Sequence, residues 1–244
     1  MGLITVRGLV KNYESNGITV RAIRGIDLAI GRGEFSAIAG PSGSGKTTLL
    51  NIIGGLDRPT EGRVSVSGTD LGTLSPRELS ELRLRRIGFI FQAYNLIPVL
   101  TALENVEYVL LLQGVDREER TRRSMAILRE VGLEAEAHRV PGKLSGGQQQ
   151  RVAVGRAIVS EPDIILADEP TANLDQKTGA ALLDLMHELN HRRKTTFIFS
   201  THDSMVMERA ERLIYLVDGS VDSDRTRGAA HFTRKKPAAA KKRK

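Results

Sequence analysis

A short apolar stretch, Phe35–Ala39, runs into Gly40-Pro41-Ser42-Gly43-Ser44-Gly45-Lys46-Thr47, which fits the phosphate-loop pattern G-x-x-x-x-G-K-[ST]. Residues 75 to 160 carry leucines at three- and four-residue spacing. Beyond residue 160, apolar strand-like runs alternate with a long helical run. Together these predict an α/β fold: a phosphate-loop core with a mostly parallel sheet, an N-terminal antiparallel β subdomain and an inserted α-helical subdomain.

In chain order, residues 3–10 read as the first strand. Residues 18–30 alternate apolar and polar as a second, and Ser15-Asn16-Gly17 between them carries an Asn-Gly turn signal. Phe35–Ala39 is the strand before the glycine-rich loop, and residues 46–55 are a helix ended by Gly54-Gly55. Ser75, followed by Pro76 and Glu78, suits the start of a helix over 75–86. Residues 87–91 form a short strand, and helices follow over 102–113, 117–131 and 145–159. These make a helical lobe from about 93 to 160. The core resumes with strand 163–167, helix 174–192, strand 195–200 and strand 212–217. Alternation of this kind puts ligands at the carboxyl edge of a parallel sheet.

Three motifs carry chemistry. Glycines at 40, 43 and 45 let backbone N–H groups from Ser42 to Lys46 wrap a β-phosphate, with a helix N-terminus behind them. Ser44 lies within that wrap. Lys46 is placed to bridge β- and γ-oxygens, the Thr47 hydroxyl to ligate Mg²⁺, and Thr48 to reach the α-phosphate. Ile164-Ile165-Leu166-Ala167-Asp168-Glu169 ends an apolar strand in two carboxylates. Asp168 suits a metal-holding role, and Glu169 a general base that polarises the attacking water. Between the two, Leu144-Ser145-Gly146-Gly147-Gln148-Gln149-Gln150-Arg151 opens a helix with free N–H groups, a second anion site.

The order of these motifs resembles the nucleotide-binding subunit of ABC (ATP-binding cassette) transporters, over residues 1 to about 222. The resemblance implies a P-loop NTPase core, ATP and Mg²⁺ as cofactors, and a Mg-dependent ATPase. It further implies that Gln92 contacts Mg²⁺ and the lytic water, and that its loop meets a membrane partner. His202, in Phe199-Ser200-Thr201-His202-Asp203, becomes a switch histidine at the γ-phosphate. Tyr13 becomes the aromatic that stacks on adenine. Ser145, Gly146, Gly147, Gln148 and Asp175 would act in trans, on nucleotide held by a second copy, so that two ATP close a head-to-tail homodimer. Residues 88–106 and 167–175 are similar to the lipoprotein-release and macrolide-exporter branch, which usually has glycine where Ala172 stands. That implies a separate integral membrane permease, mechanical transmission, and a cytoplasmic location at the inner face of the membrane. Two rival readings stand beside it: a regulatory, cell-division-like ATPase, and a soluble ABC ATPase acting on nucleic acid.

Composition weighs on these. At 40% hydrophobic residues the chain reads as globular, and it holds no cysteine, which excludes disulfides and thiolate metal sites. No run is apolar enough to span a bilayer, and the start lacks signal-peptide patterning. The formal charge is +7, yet nine Lys/Arg and no Asp/Glu lie from Arg225 onward, leaving 27 basic against 29 acidic residues before them. The body is near neutral, which makes nucleic acid an improbable partner. Residues 223–244 read as a basic, low-complexity, disordered tail suited to an anionic membrane surface.

His187-Glu188-Leu189-Asn190-His191 matches the zinc-peptidase pattern H-E-x-x-H, and Glu211 stands 20 residues further on as a possible third ligand. The helix lies between two nucleotide motifs that need it as scaffold. The sequence therefore favours a solvated helix face over a peptidase centre.

Overall fold

The computed structural model describes residues 2–15 and 17–227. The turn at Asn16 and the basic segment from residue 228 onward lie outside the described residues.

Two sheets organise the chain. The first is antiparallel, in the order β2-β1-β4-β5, built from β1 (Ile4–Ser15), β2 (Ile18–Ile30), β4 (Glu61–Val66) and β5 (Thr69–Asp70). The second has the order β10-β9-β3-β8-β7-β6. Its strands are β3 (Phe35–Ala39), β6 (Ile87–Ile90), β7 (Ile164–Asp168), β8 (Thr196–Thr201), β9 (Arg212–Val217) and β10 (Ser220–Thr226). All neighbours in it pair in parallel except the hairpin of β9 and β10.

The parallel strands are buried on both faces, so their side chains sort by period two into two cores. Phe35, Ala37, Ile165, Ala167, Phe197 and Phe199 face one cluster. Ile38, Ile164, Leu166 and Ile198 face the other. The first cluster takes in Val106, Leu110, Ile127, Leu128, Val152 and Ile158. These come from α3 (Ala102–Leu112), α4 (Arg117–Glu130) and α5 (Gly146–Ile158). The helical subdomain thus shares its core with the sheet. The second cluster joins the antiparallel sheet to α1 (Lys46–Ile53) through Ile4, Ile23, Ile30, Leu49 and Ile53. The remaining helices are α2 (Pro76–Arg86), α6 (Gln176–Arg193) and α7 (Ser204–Arg209).

Several expectations shift. The first strand runs on to Ser15, and the α6 helix starts after its Asp175 cap, two residues later than the sequence suggests. Strands β4, β5 and β10 and helix α7 are additions. Strand β10 reaches Thr226, so the fold continues past the expected boundary at residue 222. Asp224 inside it receives two bonds from Arg212, at 2.8 and 2.7 Å. That guanidinium, its pKa raised chiefly by Asp224, also bonds the Ala29 carbonyl at 2.7 Å and Glu34 at 3.1 Å, tying the two sheets together.

Candidate nucleotide site

The parallel register brings the motifs to one edge. Ala39 stands beside Thr201, and Asp168 beside Ser200. Gly40, Glu169 and His202 therefore leave the sheet together, and Gln92 follows just beyond the end of β6 in the next position.

The glycine-rich loop is shaped for close approach. Gly40 has φ 149°, and a Cβ there would stand 2.2 Å from the Leu216 carbonyl oxygen. Gly43 and Gly45 are left-handed at φ 78° and 98°. Gly45 occupies the N-cap position of α1, where no side chain bonds the first-turn amides. Every other α-helix among the described residues is capped by a side chain: Ser75, Thr101, Asp116, Ser145, Asp175 or Asp203. An uncapped helix start leaves N–H groups and positive dipole for an anion. The buried Ser44 hydroxyl is without a hydrogen-bond partner here. The Lys46 ammonium donates to the carbonyls of Gly40 at 2.9 Å and Pro41 at 3.0 Å, which poises it over the loop.

Thr47, in the first turn of α1, donates its hydroxyl to Asp168 at 3.1 Å. A hydroxyl and a carboxylate this close are hard oxygen donors of the kind that hold Mg²⁺. Glu169 is left-handed at φ 47°, an uncommon state for a non-glycine residue. Its N–H donates to the Ser200 carbonyl at 2.9 Å, which holds that conformation. Its carboxylate accepts from the Thr201 hydroxyl at 3.1 Å and the His202 N–H at 3.2 Å, and it lies 2.6 Å from His202 Nδ1. The Glu169 side chain is 15% exposed and that of His202 67%. The acid is thus partly desolvated while the histidine faces outward. Thr201 was invisible to motif reading because its role comes from strand pairing.

The start of α5 stands apart from this cluster. Ser145 and Gln148 form a reciprocal cap on α5, at 3.3 and 2.9 Å. None of the hydrogen bonds of residues 145–148 reaches the phosphate loop among the described residues. Gly147 packs on α6, where a Cβ would meet Thr178 Cγ2 at 2.4 Å. Asp175 caps α6 by accepting from the Thr178 N–H at 3.0 Å and its hydroxyl at 2.6 Å. The exposed Gln92 belongs to this side by its backbone, since its carbonyl accepts from Asn173 Nδ2 at 3.0 Å. Just after it, Tyr94 and Asn95 are both left-handed. Arg156 from α5 donates to their carbonyls at 2.8 and 2.5 Å, and burial draws its pKa down. Neither Asn173 nor Arg156 is flagged by any sequence pattern.

Tyr13 on β1 is 40% exposed. Its hydroxyl donates to Asp57 at 2.7 Å, and the Lys11 ammonium sits 4.8 Å from the ring centroid. Burial and the bond to Asp57 raise its pKa, while a bond with Thr48 of α1 opposes them.

Fold and site together define a phosphate-loop nucleotide-binding protein whose uncapped α1 start faces the glycine-rich loop. A family model described as ABC transporter matches residues 23–172. The solved dimeric cassette MJ0796 of Methanocaldococcus jannaschii is 45% identical, with a TM-score of 0.85, and the match covers 91% of this chain and 98% of that one. The same cassette has been solved as a dimer in a post-hydrolysis state bound to ADP and Pi. The lipoprotein-releasing system ATP-binding protein LolD of Legionella pneumophila is 42% identical over 90% of this chain and 96% of its own length. The macrolide export ATP-binding/permease protein MacB of Hyphomonas neptunium is 46% identical over 91% of this chain, which spans 34% of that longer protein. The chain belongs to the ABC transporter family, among its ATP-binding subunits.

Proposed function

We propose that the chain binds Mg-ATP at the loop of residues 40–48 and hydrolyses it as a head-to-tail homodimer that drives an integral membrane permease. One observation carries this reading: Lys46, Thr47, Asp168, Glu169 and His202 converge at one sheet edge. Thr47 and Asp168, with Gln92, would hold Mg²⁺, which when bound neutralises charge on the β- and γ-phosphates. Glu169 accepts the proton of the attacking water, aided by its sheltered position and by the bonds that fix its oxygens. His202 stands ready to contact the γ-phosphate, and Tyr13 to stack on the base.

The Gly146 and Gly147 amides open α5, with the cap bond going to Gln148 instead. They serve the nucleotide of a second copy, with Asp175 at the same interface. The dimeric state of the M. jannaschii relative supports that arrangement. A permease partner is supported by α3, which exposes Tyr108, Leu111 and Leu112 at three- and four-residue spacing, with Val99 also exposed ahead of it. Relatives named for lipoprotein release and macrolide export support export or lipoprotein release as the functional class, and mechanical transmission to the permease is the coupling we propose.

The test compares wild type with Glu169→Gln in Mg²⁺ and ATP. Removing the base is expected to lower turnover at least about 100-fold. ATP binding persists, and the variant elutes as an ATP-dependent dimer. Full turnover in the variant would remove Glu169 from its role, and a monomer at saturating ATP would remove the trans arrangement.

A further inference from the structure

The last turns of α6 carry a cluster that the nucleotide chemistry does not use. His187 and His191 lie one turn apart, with their Nε2 atoms separated by 3.2 Å. Glu211, between α7 and β9, brings Oε1 to 3.6 Å from His187 Nε2 and 3.8 Å from His191 Nε2. The sequence favoured a plain solvated helix face here. The fold instead delivers the third residue, 20 positions away, to the two histidines.

The distances separate two explanations. Two imidazoles sharing a proton would account for the first spacing alone. They would leave the carboxylate either bonded to one of them or turned away. At 3.6 and 3.8 Å it is too far for a hydrogen bond and is aimed at both. Ligands about 2.0–2.1 Å from a tetrahedral ion stand roughly 3.3–3.4 Å from each other. The three edges observed here bracket that value.

The ligands are held from behind. Glu211 is pinned through its backbone, donating to the Phe35 carbonyl at 2.8 Å and accepting from the Arg227 N–H at 2.7 Å. The His187 ring stands edge-on to Phe35, with centroids 5.1 Å apart. The neighbouring cation Arg212 is engaged by Asp224 and Glu34, so it does not neutralise Glu211.

We propose that His187, His191 and Glu211 form a binding site for a transition-metal ion of the Zn²⁺ class, with water completing its coordination. Two imidazoles and one carboxylate are the donor set such an ion takes, and all three side chains are open enough for it to enter. The site is not a peptidase centre. Glu188, which would be the general base of that pattern, is paired with Arg192 at 2.7 Å. A bound ion would cross-link the end of α6 to the start of β9, at the amino edge of the sheet and away from the nucleotide.

The experiment uses the full chain without an affinity tag and without nucleotide. Zn²⁺ binding is measured by equilibrium dialysis, and Co²⁺ serves as the spectroscopic probe. The expected result is one saturable equivalent and the visible absorption of four-coordinate Co²⁺. Both are lost in His187→Ala/His191→Ala, and affinity falls at least tenfold in Glu211→Gln. ATP binding by these variants shows that they fold. His202→Ala and His231→Ala keep the Co²⁺ spectrum. The proposal is overturned if wild type shows no saturable binding, if the double variant still binds one equivalent, or if His202→Ala or His231→Ala abolishes the signal.

Discussion

At the scale of single residues, backbone conformation decides as much as side-chain chemistry. Gly40 leaves β3 at φ 149°, with the Leu216 carbonyl where a side chain would go. Gly40→Ala is therefore expected to destabilise the fold by at least about 1–3 kcal/mol and to weaken ATP binding. Chemical denaturation together with nucleotide titration checks both. Glu169 is the complementary case, a non-glycine residue held left-handed by its N–H bond to Ser200. The sequence made the carboxylates of Asp168 and Glu169 legible because they end an apolar strand. It could not show Thr201 or Ser200 acting on Glu169, since strands β7 and β8 meet only through tertiary pairing. The same holds for Glu211, which reaches the two histidines from across an intervening strand and helix.

At the scale of elements, signals strong in the sequence were those with a local cause. Ser75 and Ser145 mark helix starts because a hydroxyl and a residue three positions on satisfy the free amides reciprocally. Strand β10, Ser-Val-Asp-Ser-Asp-Arg-Thr, was illegible because it is an exposed edge strand with almost no apolar alternation to read. Helix α7 has six residues, too few for a helical period to register. Arg156 is a longer-range device. From inside α5 it holds the carbonyls of Tyr94 and Asn95, two consecutive left-handed residues after Gln92. Arg156→Met keeps the stem and removes both bonds. It is expected to cost about 1–3 kcal/mol in unfolding free energy and to loosen the Gln92 loop, read as faster amide exchange over residues 92–96. A lysine at this position does not restore the effect, because a single ammonium does not reproduce the planar fork.

At the scale of the molecule, the two cores and their cross-ties set how the fold responds to acid. Burial alone would raise the pKa of Asp57. Bonds from Lys11, Tyr13 and the Arg58 amide outweigh it and hold the carboxyl below its usual range. A pKa depressed in the folded state gives stability that is present above the unfolded value, near 4, and is lost as pH falls through the folded value. Stability is expected to decline below about pH 4, with Asp57→Asn showing a shallower acid limb in denaturation midpoints taken from pH 3 to 7. Measurements above pH 5 isolate the variant's loss of the Lys11 pair from this titration.

The hairpin of β9 and β10 reverses the chain so that Thr226 pairs with Arg212, at the amino edge of the sheet, and Arg227 bonds Glu211 there. Arg227 therefore stands a full strand, roughly 20 Å, from the carboxyl edge where the phosphate loop lies. The Debye length at physiological ionic strength is about 8 Å. Charge on Arg227 at that edge is therefore screened at the phosphate loop, whose pull on an anion comes from Lys46 and the uncapped start of α1. Shortening the chain after Arg227, a cut that spares β10, is expected to leave ATP affinity unchanged in a nucleotide titration at about 0.15 M salt.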